Sequence, residues 1–196
     1  MTDVAAPNSR VALSALCREI HASNVIAGWW SDLKTGESIL ATRNRPEMLM
    51  LAVSELAEAA EGIDLRPDDK LPHRAMFDVE LGDFVIRQLD QIGAEVSLGA
   101  EMPAWDLICS SWLRPMSWSE QLMLLVRIVS AAMEDYRKGR VAAYVNSMAD
   151  GVAHCIAIAE ANGIDLFEVI AEKRAFNATR ADHKVENRLQ TGGKAF

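Results

Sequence analysis

The chain has 196 residues, half of them hydrophobic, with 20 Lys and Arg against 28 Asp and Glu and a formal net charge of -8. So acidic a surface lacks the basic face needed to track a phosphate backbone, which excludes general nucleic-acid binding. Ala and Leu are abundant and alternating β-branched runs are scarce, so the expected fold is an all-α helical bundle forming one domain with a substantial core.

Residues 1–9 read as a flexible start, with Asn8 or Ser9 capping a first helix that runs to about Ile26 and turns Val11, Leu13, Leu16, Ile20 and Val25 inward. Trp29 and Trp30 open a polar stretch. Trp30 suits either a plug at the end of the bundle or a surface on which a base stacks. A second helix starts near Pro46 and stops by Gly62, with an apolar stripe of Leu49, Val53, Leu56, Ala57 and Ala60. The loop from Asp64 to Arg74 carries Lys70, His73 and Arg74, which either flank the next helix or meet phosphate oxygens. A third helix spans about Ala75 to Ile92, with Phe77, Leu81, Val85, Leu89 and Ile92 inward. Gly93 to Ser119 is a connector with one short helix, packed down by Trp105, Trp112 and Trp118. Further helices are expected from about residue 120, over Val141 to Ala161 and over Asp165 to Thr179, before a polar tail from Asp182.

Two acidic pairs stand out. Glu55 and Glu58 lie three apart on the second helix, and Glu80 and Asp83 three apart on the third, so each pair projects from one helix face. Between Arg45 and Arg66 there is no Lys or Arg, while Glu47, Glu55, Glu58, Glu61 and Asp64 are all acidic. Carboxylates crowded in a partly apolar cleft take up protons or recruit a cation, and oxygen-only ligands favour Mg²⁺, with Mn²⁺ as a substitute. A solvated acidic surface is the alternative. Arg87 is either an i,i+4 ion-pair partner of Asp83 or a grip for polyphosphate. Lys173 and Asn177, four apart on the last helix, and Arg180 beyond them read from the residues alone as surface groups.

Ser54-Glu55-Leu56-Ala57-Glu58 followed by Val79-Glu80-Leu81-Gly82-Asp83 resembles the ExxE…ExxD signature of the MazG-like, all-α nucleoside triphosphate pyrophosphohydrolases. Glu172-Lys173-Arg174-Ala175-Phe176-Asn177-Ala178-Thr179-Arg180, with Gly192-Gly193-Lys194 after it, is similar to the EKxxYNxxR…GGK ending of many members, with Phe176 where Tyr is usual. The resemblance implies Mg²⁺-dependent hydrolysis of a nucleoside triphosphate, most often a deoxynucleotide, to the monophosphate and pyrophosphate. It implies Glu55, Glu58, Glu80 and Asp83 as the metal-binding and catalytic acids. It assigns Lys173, Asn177 and Arg180 to substrate, with Arg87 and Trp30 as further candidates, and it implies a homodimer. A base-specific dUTPase-type enzyme, a phosphoribosyl-ATP pyrophosphohydrolase and a non-catalytic nucleotide sensor or scaffold are the rivals.

Leu122-Met123-Leu124-Leu125-Val126 repeats Leu49-Met50-Leu51-Ala52-Val53, and Asn162-Gly163-Ile164-Asp165-Leu166 parallels Ile92-Gly93-Ala94-Glu95-Val96. These echoes divide the chain into a first helical unit (10–99) with the acidic site, a connector (100–119), a degenerate second unit (120–181) and a tail (182–196). In the repeat register Glu55 and Glu58 become Ile128 and Ala131. Cys17, Cys109 and Cys155 show no metal-type spacing and read as free, buried thiols in a reduced, cytoplasmic setting. No secretory signal and no unbroken apolar run of about 20 residues is evident, so a membrane partner is not expected.

Overall fold

In a computed structural model, which describes residues 6–191 and 193 with side chains from residue 11 onward, the protein is all-α. Its helices are α1 (Ala6–Ile26), α2 (Arg45–Glu61), α3 (Met76–Ser97), α4 (Trp118–Arg137), α5 (Val141–Asn162), α6 (Leu166–Thr179) and the single turn α7 (Val185–Arg188). Strand-like pairing among the described residues is confined to two isolated bridges, Ser31 with Ser38 and Pro67 with Ala75. Gly192 and Lys194 of the C-terminal motif, and residues 1–5, lie outside the described residues.

Local chemistry sets the helix ends. Asn44 accepts a hydrogen bond from the Glu47 amide at the start of α2, where Pro46 occupies the first turn, and Gly62 closes the other end. Ser117 and Glu120 form a reciprocal capping box on α4, and Asp165 caps α6 through the Glu168 amide. Asn8 and Ser9 fall inside α1, because the helix starts earlier than the expected cap.

α3 is the axis. It packs against α1, α2, α5 and α6, so it is apolar on most sides, with Phe77, Leu81, Phe84, Val85, Leu89 and Ile92 buried as expected for its inward face. Burial on all sides also encloses Glu80, Gln88, Asp90, Gln91 and Glu95. Buried polar groups need partners. Glu95 receives the Arg45 guanidinium at 2.6 Å, and Tyr144 donates to Gln91 at 3.1 Å. α2 pairs with α3 and α4 pairs with α5, so the chain contains two helical hairpins. Their ends differ. α5 stops at Gly163, whose φ of +73° suits a left-handed cap, whereas Gly93 lies inside α3, which continues to Ser97.

Gly93 is a contact. A Cβ there would stand 2.5 Å from His21 Cβ, so the missing side chain is what lets α1 and α3 approach. Gly93→Ala is therefore expected to destabilise the protein by about 1–3 kcal/mol, although the same change in an open helix would stabilise it. The denaturation midpoint gives the sign directly.

Several expectations are corrected by this packing. α1 turns Leu13, Cys17 and Ile20 inward, but Val11 is 73% and Val25 43% exposed, because α1 packs mainly on α3 at the edge of the bundle. In α2 the buried residues are Arg45, Leu49, Ala52, Glu55, Leu56 and Ala59, while Ala57 and Ala60 are exposed, so the Glu55 flank faces the bundle. Cys109 is exposed, on the chain leading into a 3₁₀ turn at Ser110–Trp112. Trp105 is buried and donates to Ser14, and Trp118 stacks on Phe77, but Trp112 remains largely exposed. α5 is long and apolar enough to cross a membrane even though Asn146, Asp150 and His154 break its apolar runs; most of its surface is instead buried against α3 and α4.

Candidate metal centre and its cavity

The α2–α3 hairpin brings the acidic pairs together. One carboxylate oxygen each from Glu55, Glu80 and Asp83 lies within 4.8 Å of the others. Glu80 is 1% exposed, and its Oε2 has no hydrogen-bond partner. Glu58, one turn beyond Glu55, stands at the edge of the cluster and lines the adjoining cavity.

Two cations hold the cluster. Arg87 Nε donates to Glu55 Oε1 across the helix pair, so its partner is on α2 and is not Asp83. Lys173 Nζ reaches Asp83 Oδ2 at 2.7 Å from α6 and is 1% exposed, which makes it an interior group and not a surface charge. Even with these partners the acids are crowded. Burial, the Asp83 charge and a hydrogen bond with Glu55 push the Glu80 carboxyl up to about 8. Burial raises Asp83 against the pull of Lys173, and burial with the charges of Glu55 and Asp83 raises Glu58 against Lys70 and Arg87. Glu80 thus retains its proton at neutral pH.

A cavity of about 420 Å³ opens from these acids along α3. Glu55, Glu58, Asp83, Lys70 and Arg87 line one end. Asn24, Trp29, Trp30, Arg43 and Asp90 line the other, and Asn177, Arg180 and His183 also line the wall. Trp30 sits at the rim but is 2% exposed, with its Nε1 donating to Asp90 and the Arg45 guanidinium over its ring. Its burial and these contacts fit a packed, structural side chain. Asn177 keeps a buried Oδ1 without a hydrogen-bond partner, and Arg180 is paired with Asp182.

His73 and Arg74 are drawn away from the cavity. Arg74 makes two 2.9 Å hydrogen bonds to Glu172 and an ion pair with Glu168, and His73 adds a third bond to Glu172, so they clamp the loop onto α6. Lys70 is the loop cation left facing the cavity.

The chain end completes the wall. Arg188 is buried and places its guanidinium 3.6 Å from the Trp29 ring centre, while Val185 sits where a Cβ on Gly28 would come within 3.0 Å. His183 meets Trp29 edge-on at 5.2 Å. Asn24, Arg43 and Asp90 carry no motif that marks them in the sequence. Asp90 had a signal: it is seven residues from Asp83 and so shares its face of α3.

No family model, no curated protein and no solved structure matches the chain.

Proposed function

We propose that the protein is a Mg²⁺-dependent hydrolase that cleaves a nucleoside triphosphate, most often a deoxynucleotide, to the monophosphate and pyrophosphate, in the manner of the MazG-like all-α enzymes. The observation that carries the reading is the convergence of Glu55, Glu80 and Asp83, one carboxylate oxygen of each within 4.8 Å of the others, with the Glu80 Oε2 buried and without a hydrogen-bond partner. A buried oxygen without a partner is costly unless a cation completes it. Glu55, Glu58, Glu80 and Asp83 face two fixed cations, Arg87 and Lys173, so full ionisation leaves two negative charges to be met. One divalent ion meets them, and an all-oxygen set suits Mg²⁺ or Mn²⁺.

When bound there, the ion would offset phosphate charge and acidify a water. The chain's own groups do the rest. Arg87 and Lys173 fix the orientations of Glu55 and Asp83, and no ion pair ties down Glu58 among the described residues. With its raised proton affinity, Glu58 is the carboxylate best suited to take the proton of an attacking water. Lys70, at the same end, is placed to meet phosphate oxygens. Asn177 and Arg180 supply an amide and a cation farther along the wall, for the sugar and the remaining phosphate.

Pyrophosphate release across a panel of nucleoside triphosphates, with and without Mg²⁺, tests this. Turnover that needs the ion is expected. Many good substrates would indicate clearance of the nucleotide pool and one would indicate a base-specific enzyme, while binding without product would overturn catalysis in favour of sensing.

A further inference from the structure

The end of the cavity away from the acids holds the Arg43 guanidinium and, beside it, a chain of hydrogen bonds that finishes in an acceptor. Asp90 lies seven residues beyond Asp83, about 10 Å farther along α3 at 1.5 Å per residue. It accepts three hydrogen bonds: His21 Nδ1 at 2.8 Å and Trp30 Nε1 at 2.9 Å on Oδ1, and Asn24 Nδ2 at 2.8 Å on Oδ2. A carboxylate can only accept. The Asn24 amide is therefore locked with its NH₂ toward Asp90, and its carbonyl is the end left for another partner. Asn24 and Asp90 both line the cavity, and the Asn177 carbonyl, buried and without a partner, adds another acceptor to the same wall.

We infer that this end reads the base of the substrate through an exocyclic amino group, which selects cytosine- or adenine-type nucleotides over their keto counterparts. The inference rests on the cavity being a nucleoside triphosphate site. An amino group donates to the Asn24 carbonyl, whereas a keto oxygen at the same point sets lone pair against lone pair and leaves the amide unmatched. The ring N–H of uracil does not substitute for it, because a carbonyl oxygen flanks that N–H on each side and would be carried toward Asp90. A pocket that hydrogen-bonds a substrate N–H discriminates strongly against an analogue without it, since its own buried polar groups are then unpaired. Asn24 is the specificity-determining residue, and Asp90 is a positioning residue that acts through it.

The test compares kcat/KM within two pairs that exchange amino for keto, and with it the proton state of the neighbouring ring nitrogen, dCTP with dUTP and dATP with dITP, and measures binding of the same four nucleotides by tryptophan fluorescence. The amino member is expected to lead by tenfold or more in at least one pair. Asn24→Ala should shrink that ratio, and Asp90→Asn, which can donate and so lets the Asn24 amide turn, should shrink or invert it. A general structural loss would lower both members alike and leave the ratio unmoved. If Asp90→Asn does not fold, Asn24→Ala, at the half-buried end of α1, still decides the matter. Hydrolysis with no amino preference, or with a ratio that neither variant moves, overturns the inference while the hydrolase reading stands. Amino-selective binding without hydrolysis overturns the hydrolase reading and keeps the inference, and neither binding nor hydrolysis overturns both.

Discussion

Glu80→Gln is expected to make the metal-free protein more stable at pH 8 while sharply reducing pyrophosphate release and abolishing stabilisation by Mg²⁺. The Glu80 carboxyl rises from an ordinary 4.5 to about 8 in the folded state. Between those values the unfolded chain has released this proton and the folded chain still holds it, so stability falls as pH rises through the window and levels off above it. Glutamine keeps the shape and removes that penalty, a gain on the order of 2 kcal/mol, or about 5 °C in a chain of this size. The cost appears with the ion. A ligand at a hundred times its Kd stabilises a protein by about 2.7 kcal/mol, and without the Glu80 carboxylate that increment should vanish. Turnover should fall by roughly a hundredfold or more, as for loss of a group acting directly on developing charge. Melting curves from pH 5 to 9, with and without Mg²⁺, read both effects. A variant that keeps the Mg²⁺ increment and full turnover would remove Glu80 from the site.

Lys173→Met should have the opposite thermal sign. Lys173 is the interior partner of Asp83, and removing one member of a buried pair strands the other, at a cost of about 3–5 kcal/mol and roughly 10 °C in Tm. The companion change Asp83→Asn removes the stranded charge, so the double variant should recover most of the lost stability and remain inactive. This double-mutant comparison separates a structural ion pair from a surface cation, whose loss would change Tm by a degree or less. Added Mg²⁺ should also rescue part of the Lys173→Met loss, because the ion supplies positive charge to the same carboxylate. Absence of both recoveries would show that Lys173 does not act through Asp83.

How much of this could be read in advance depended on distance along the chain. The four acids were legible because i,i+3 spacing places each pair on one face, and short turn chemistry located most helix ends within a few residues. The α2 stripe was misread because a helical wheel ranks apolarity alone: it favoured Ala57 and Ala60, whereas close packing of the hairpin selected Ala52 and Ala59 together with Glu55. Neither reading of Arg87, as an i,i+4 partner of Asp83 or a grip for polyphosphate, includes its bond to Glu55, because a periodicity rule cannot see across to α2. The Arg74 clamp on Glu172 joins positions 98 residues apart, and no local pattern announces such a pair. Lys173 looked like a surface charge for the same reason, since its burial depends on where α6 settles against α3.

The seat of Arg188 on Trp29 has a practical side. The last helical turn is stitched to the bend that follows α1, and the segment it anchors carries Arg180 and His183 to the rim of the chamber. A fluorescent label attached beside Arg188 would pull on that stitch, whereas Val11 and Val25, on the exposed side of α1, offer attachment points away from it.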